Sequence, residues 1–237
     1  MGRVRKLTVI RHTLRRPFTI IGLTGSIAMG KSTAAKMLQR LGVPVFDADS
    51  AVHRLMKPGS VVAKAIEARF PGVTTSLGVD RQKLGSIVFA NTKALDDLEQ
   101  IIHPRTRANR EQFLRQAALQ RRSIVALDIP LLFESKSDRL CDVAIVVSTS
   151  AIIQKQRVLS RPGMTEARLQ AILSRQMSDR EKRQLADGVV FSGIGKRETL
   201  RGLIKFLTVV KRHKNTQRTT DPKTHERDYF RHRNNRP

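Results

Sequence analysis

The chain has 237 residues, 40% of them apolar, enough for one sizeable core and a small appended subdomain. Its one cysteine, Cys141, excludes an internal disulfide and any thiolate metal cluster within one chain, so a core-filling thiol in a reducing cytoplasm is the simplest reading. No apolar run approaches the roughly 18 residues of a membrane span, and the formal charge of +25 suits polyanionic substrates.

That charge is unevenly spread: residues 1–16 carry six Arg or Lys and no acid, and residues 211–237 carry nine against three acids. Residues 1–17 are read as a basic extension, too charged to be a secretory signal. Their composition leaves an organellar presequence, an over-long start and a disordered arm open. Basic ends can touch nucleic acid nonspecifically, or be solvated tails.

The first strand is expected over about 19–24, where Ile20-Ile21-Gly22-Leu23 is an apolar run. Directly after it, Gly25-Ser26-Ile27-Ala28-Met29-Gly30-Lys31-Ser32 fits G-x-x-x-x-G-K-[ST] at every fixed position. Glycines let such a loop turn tightly and aim its N–H groups inward, and the following helix adds free N–H groups and the positive end of its dipole. Lys31 can reach the β- and γ-phosphates, and the Ser32 hydroxyl can complete a Mg²⁺ shell. The helix is expected over about 31–41, stopped by Gly42.

Val43-Pro44-Val45-Phe46 reads as a second strand leading into Asp47-Ala48-Asp49. Two carboxylates just past a strand end lie near the phosphate loop in an open α/β sheet. Either can hold a substrate hydroxyl or accept its proton, and either can instead cap the helix starting at Ser50.

From Ala51 to about Gln120 the pattern is mostly helical, broken at Pro58-Gly59 and Pro71-Gly72. Helices are expected over about 60–69, 80–90 and 93–102, the last stopping before His103-Pro104, with a separate basic helix over about 105–121. The excursion is longer than one crossover needs and reads as an inserted subdomain that covers a substrate. His103 reads equally as a structural residue at a helix junction or a ligand contact. Arg105 reads as a contact or as a solvated surface cation.

Ser123 to Asp128 is an apolar strand ending in a carboxylate, the form of a Walker B strand, where an acid meets Mg²⁺. Ile129-Pro130-Leu131-Leu132-Phe133-Glu134 continues as an apolar wall ending in an acid. Asp142 to Val147 is a fourth strand, and the helix after it carries Arg157 and Arg161 four apart, so both can face one anion. Residues 161–183 are rich in Arg and Gln, including Arg175 and Gln176. In a phosphotransferase that composition is a lid, whose arginines neutralise transferring phosphate and exclude water; a plain surface helix would read similarly. Ala186 to Phe191 gives a fifth strand, Ser192-Gly193-Ile194-Gly195 a turn beside the adenine, and about 196–210 a final helix. Residues 211–237 are expected to be disordered.

Together these pieces resemble the dephospho-CoA kinase family. The matching stretches are GLTGSIAMGKST at 22–33, VFDAD at 45–49, His103-Pro104, LDIPLLFE at 127–134, Arg157 and Arg161, RQMSDREKRQLAD at 175–187 and SGIG at 192–195. They cover about 18–210 in the family's order.

The resemblance implies an α/β fold of the three-layer P-loop NTPase kind, with a five-stranded parallel sheet, a helical substrate-binding insertion and a helical lid. It implies a kinase that uses ATP and Mg²⁺ to phosphorylate the ribose 3′-hydroxyl of dephospho-CoA, giving CoA and ADP, the last step of coenzyme A synthesis. Asp49 would be the catalytic base, acting with Lys31 and Arg161. Nucleotide would be bound by Gly25, Ser26, Ile27, Ala28, Met29, Gly30, Lys31, Ser32 and Thr33, with Arg157 and Gly193. Ser32 and Asp128 would face the metal. Asp47, His103, Arg105, Leu131, Leu132, Glu134 and Gln176 would join Asp49 around the acceptor. Ser26 stands where the family commonly has a second glycine, Met29 where it has a small residue, and Ser192 where it has Asn or Thr. No specific nucleic acid and no membrane partner is expected, and a monomer is expected with an oligomer as the alternative. The rival readings are another small-molecule or nucleoside kinase on this scaffold and a noncatalytic nucleic-acid binder.

Overall fold

The computed structural model describes residues 17–88 and 91–220, the side chains of 214–220 aside. The basic extension, apart from Pro17, and the tail from 221 onward lie outside the described residues.

At the centre is strand β1 (Thr19–Thr24), buried along its whole length. It pairs in parallel with β5 (Ile124–Asp128) on one side and β6 (Val143–Ser148) on the other. With β2 (Val45–Asp47) outside β5 and β7 (Gly188–Phe191) outside β6, the sheet runs β2-β5-β1-β6-β7, all parallel. The expected five strands are all present. Buried parallel strands carry apolar side chains on both faces, which is why they appear as continuous runs. Along β1 the faces alternate: Ile21 and Leu23 enter one core, Ile20 the other.

The first core lies between the sheet and two helices, α1 (Lys31–Arg40) and α9 (Lys196–Thr220). Phe206 is buried there, and a Cβ on Gly188 would stand 2.5 Å from its ring. α9 runs ten residues past the expected end at 210, because no proline or glycine follows Gly202 until Pro222.

The second core covers the opposite face. Phe18, Phe46, Leu127, Leu132 and Cys141 are buried in it, so the cysteine fills space as expected. A Cβ on Gly22 would lie 2.9 Å from both Cys141 Sγ and Leu132 Cδ2, which accounts for glycine inside this strand.

A third core lies within the helical insertion, among α2 (Ala48–Leu55), α3 (Val61–Arg69), α4 (Arg81–Val88) and the first half of α5 (Thr92–Leu119). One expectation needs correction here, and one feature was not foreseen. α5 is one helix of 28 residues with Pro104 inside it, where a break was expected before His103. Leu98 and Ile102 anchor its first half in the third core and Ala117 its second half in the second core, and this burial outweighs the roughly 3 kcal/mol that an interior proline costs. The expected break at Pro71-Gly72 is present, and it leads into a small antiparallel hairpin that was not foreseen, β3 (Thr74–Thr75) with β4 (Gly78–Val79).

The segment after β6 contains α6 (Ala151–Leu159), α7 (Glu166–Leu173) and α8 (Asp179–Leu185). Ser150, Thr165 and Ser178 cap these helices, Ser178 in a reciprocal capping box with Glu181.

Candidate active site

The strand register brings the acids together. Leu23 and Asp47 both pair with Asp128 across β5, so Asp47 and Asp128 stand abreast at the carboxyl edge, one residue short of Thr24. From that edge the loop Gly25–Gly30 leads into α1 and borders a cleft of about 740 Å³. All nine residues from Gly25 to Thr33 line it, with Asp49, Arg157, Arg161, Gln176 and Gly193. The structure thus gathers most of the expected nucleotide-side residues in one place.

Close packing explains the loop's composition. A Cβ on Gly25 would sit 2.6 Å from the Val147 carbonyl oxygen. Gly30 has φ +90°, and a Cβ there would meet the Ser192 side chain at 2.9 Å. Ala28 adopts φ +59°, a left-handed conformation that costs a non-glycine residue roughly 1–2 kcal/mol. The first turn of α1 carries no acid, so its positive end is left for an anion.

A buttress of side chains holds the loop. Gln154 donates to the Ile27 carbonyl at 2.9 Å, and the Ile27 N–H donates to Gln176 Oε1 at 3.2 Å. Arg157 donates to the Ala28 carbonyl at 3.4 Å and to Ser192 Oγ and its carbonyl at 2.9 and 2.8 Å. Ser192 Oγ in turn donates to the Met29 carbonyl at 2.7 Å. Met29 is buried and its thioether accepts the Thr149 N–H at 3.2 Å. The unusual Met29 and Ser192 are therefore parts of one support, and Arg157 is a strut for the loop and the 192–195 turn. Arg161, expected to share an anion with Arg157, lines the cleft without a side-chain partner among the described residues. Gln154 escaped the sequence reading as a contact, because a glutamine on an amphipathic helix carries no signal of its own.

Lys31 Nζ pairs with Asp128 Oδ1 at 2.6 Å. Burial pushes the Asp128 carboxyl up from its ordinary value, and Lys31 pulls it partly back. The two aspartates of DAD separate in role. Asp47 caps α2, accepting the Ser50 N–H and hydroxyl, each at 2.8 Å. Asp49, one residue into that helix, lines the same cleft as the phosphate loop.

The expected acceptor-side residues are more scattered. His103 and Arg105 lie on the exposed face of α5 and border neither the cleft nor the cavity next to it. Leu132 is fully buried in the second core, a packing position and not a wall, whereas Leu131 is exposed. Glu134 accepts from Lys182 at 2.8 Å and from the Met177 N–H at 2.9 Å. Lys182 is wholly buried and also donates to the Pro130 carbonyl at 3.4 Å, so this pair ties α8 to the segment after β5. Arg and Gln content marked 161–183 in the sequence, but the pairing of Lys182 with Glu134 bridges residues far apart in the chain and left no local trace.

Residues 19–194 match the family model for dephospho-CoA kinase. The dephospho-CoA kinase of Rhodospirillum rubrum is 49% identical over 208 residues, 86% of this chain and 99% of that protein. That of Agrobacterium fabrum is 51% identical over 176 residues, 74% of this chain and 90% of the relative. Among solved structures, one from Thermus thermophilus superposes with a TM-score of 0.73 at 30% identity, covering 82% of this chain and 97% of that one. The dephospho-CoA kinase of Campylobacter jejuni superposes at 0.60 with 25% identity, over 82% and 98% of the two chains. With the family model spanning the sheet, the loop, the insertion and the helices between β6 and β7, and with these relatives covered almost end to end, the chain belongs to the dephospho-CoA kinase family.

Proposed function

We propose that the protein transfers the γ-phosphate of ATP to the ribose 3′-hydroxyl of 3′-dephospho-CoA, giving CoA and ADP, in the cytoplasm. The observation that carries the reading is the position of Asp49, which lines the same cleft as the phosphate loop. A hydroxyl held by its carboxylate points toward the end of a triphosphate lying on the loop. The 3′-oxygen bonds to the γ-phosphorus as the bond to the bridging oxygen breaks. Asp49 takes the hydroxyl proton, and ADP leaves with the bonding electrons.

The loop N–H groups and the start of α1 bind the phosphates, and Lys31 turns from Asp128 to the β- and γ-oxygens. Arg161 balances charge on the transferring group, and Gln176, now on the Ile27 N–H, gives way to phosphate. A hydroxyl and a buried carboxylate, from Ser32 and Asp128, suit Mg²⁺, which takes few protein ligands and keeps water and phosphate oxygens around it. When bound there, Mg²⁺ supplies positive charge to the phosphate oxygens. Closing 161–183 over the cleft keeps water from competing with the ribose hydroxyl. Among the described residues no helix is long and apolar enough to cross a membrane, and the buried reduced Cys141 suits a cytoplasmic setting.

The test is a transfer assay with ATP and Mg²⁺, comparing dephospho-CoA with adenosine, AMP and CMP as acceptors. Dephospho-CoA is expected to be strongly preferred. Transfer to another acceptor with none to dephospho-CoA overturns the reading.

A further inference from the structure

Lys182 on α8 is wholly buried, which is rare for a lysine, and the transfer chemistry makes no use of it. Side chains lean toward the N-terminus of their helix, so Lys182, one turn into α8, reaches back toward Met177, the residue before the capping Ser178. There its ammonium and the Met177 N–H both donate to Glu134 Oε1, at 2.8 and 2.9 Å. The ammonium also donates to the Pro130 carbonyl at 3.4 Å, and that carbonyl accepts the Thr24 hydroxyl at 2.9 Å. Thr24 directly precedes the phosphate loop, and Gln176, next to Met177, accepts the Ile27 N–H inside it. The contacts close a ring that leaves the loop at Thr24 and returns to it at Ile27, with Lys182 and Glu134 at its far side.

Stability does not account for this pair. Apolar side chains of similar volume commonly match or better a buried ion pair. Here Glu134 Oε2 is also buried with no hydrogen-bond partner among the described residues, which adds a cost. What an apolar pair could not do is hold two backbone groups at once. Pro130 and Gln176 both line the cleft, one from the segment after β5 and one from the link between α7 and α8. The pair fastens the first by its carbonyl and the second through the N–H of the next residue.

Resting on the phosphotransfer reading above, we propose that Lys182 and Glu134 are positioning residues that hold these two stretches of cleft wall together and so keep ATP turnover coupled to phosphorylation of the acceptor. Neither lines the cleft itself. With the ring intact, the wall is shut at Pro130 and Gln176, and the acceptor hydroxyl is the nucleophile at the γ-phosphorus. With the ring open, water gains that position. Its oxygen bonds to the γ-phosphorus as the bond to the bridging oxygen breaks, Asp49 takes its proton, and phosphate and ADP leave with no CoA formed.

The test measures the ADP and the CoA formed by the full chain with ATP, Mg²⁺ and dephospho-CoA, beside thermal melts. The wild type is expected to form them in equal amounts. The double variant Glu134→Leu, Lys182→Met removes both charges and is expected to melt near the wild type. It is expected to form CoA roughly tenfold to a hundredfold more slowly, with ADP in excess of CoA. Glu134→Gln keeps an acceptor for both donors but leaves Lys182 without a counter-charge, and is expected to melt lower while ADP and CoA stay equal. A role in folding alone would make the product ratio follow the melting temperature. Gln176→Ala is expected to change that ratio less in the double variant than in the wild type, because the pair acts through Gln176. Equal ADP and CoA from the double variant, excess ADP from Glu134→Gln, a Gln176→Ala effect of equal size in both backgrounds, or a double variant that does not fold overturns the positioning role and leaves the function standing. If the wild type transfers nothing to dephospho-CoA, both are overturned.

Discussion

The ammonium of Lys31 sits 2.6 Å from Asp128 Oδ1 and joins the first turn of α1 to the end of β5, with Asp128 almost fully buried. Such a pair is costly to break on one side only, because the surviving charge is left without a partner. Lys31→Ala is therefore expected to lose about 3–5 kcal/mol of stability as well as transfer. The double variant Lys31→Ala, Asp128→Ala is expected to recover much of that stability and none of the transfer. Urea unfolding of the two variants beside the transfer assay separates the structural share of the pair from the chemical one.

Asp47 and Asp49 differ in what they touch, and their variants should differ accordingly. Asp49→Asn removes the proton acceptor and is expected to lower kcat by roughly 10²–10⁴ with little change in melting temperature. Asp47→Ala removes the cap of α2 and is expected to cost about 1 kcal/mol of stability. A kcat loss at Asp47 equal to that at Asp49 would contradict this division.

Arg157 uses its fork on two carbonyls and a hydroxyl that hold the loop and the 192–195 turn together. Lysine keeps the charge but not the fork. Arg157→Lys is expected to raise the KM for ATP by roughly tenfold while the KM for dephospho-CoA changes little. Initial rates with each substrate varied in turn measure the split.

Asp179, at the start of α8, accepts the Ser148 hydroxyl on Oδ2 at 2.7 Å and leaves Oδ1 buried without a partner. Burial raises its carboxyl above the ordinary value, opposed by the Ser148 hydrogen bond and then by Arg183 and Lys182. A raised folded value means that its contribution to stability is full below the unfolded value and is lost as pH rises through the folded one. Asp179→Asn is therefore expected to melt above the wild type at neutral pH, by roughly 2–4 °C for about 1 kcal/mol. That advantage should vanish in acid below the ordinary aspartate range. Melts from pH 3 to pH 8 follow it.

Much of the fold was legible because its signals are local. Buried parallel strands are unbroken apolar runs, and the phosphate loop is specified by glycines whose Cβ atoms would strike Val147 and Ser192. The residues alone did not divide Asp47 from Asp49, since either could cap the helix; the resemblance put the expected base at Asp49, and the start of α2 makes Asp47 the cap. The continuity of α5 through Pro104 was hidden because it depends on burial at both ends of the helix. The hairpin was hidden because two-residue strands show no alternation. Leu132 reads as wall or core with equal ease until the strand beneath it is known, and Gly22 supplies the answer by leaving it room.

The length of α5 has a mechanical consequence. Its 28 residues make a rod of about 42 Å at 1.5 Å per residue, seated at one end against the sheet and at the other in the core of the insertion. A tilt of about 5° at the sheet end carries the far end through about 3.7 Å over that length. The insertion is thus joined to the sheet by a lever as well as by α2, and small repacking around Phe113 and Ala117 is amplified at the far end of α5.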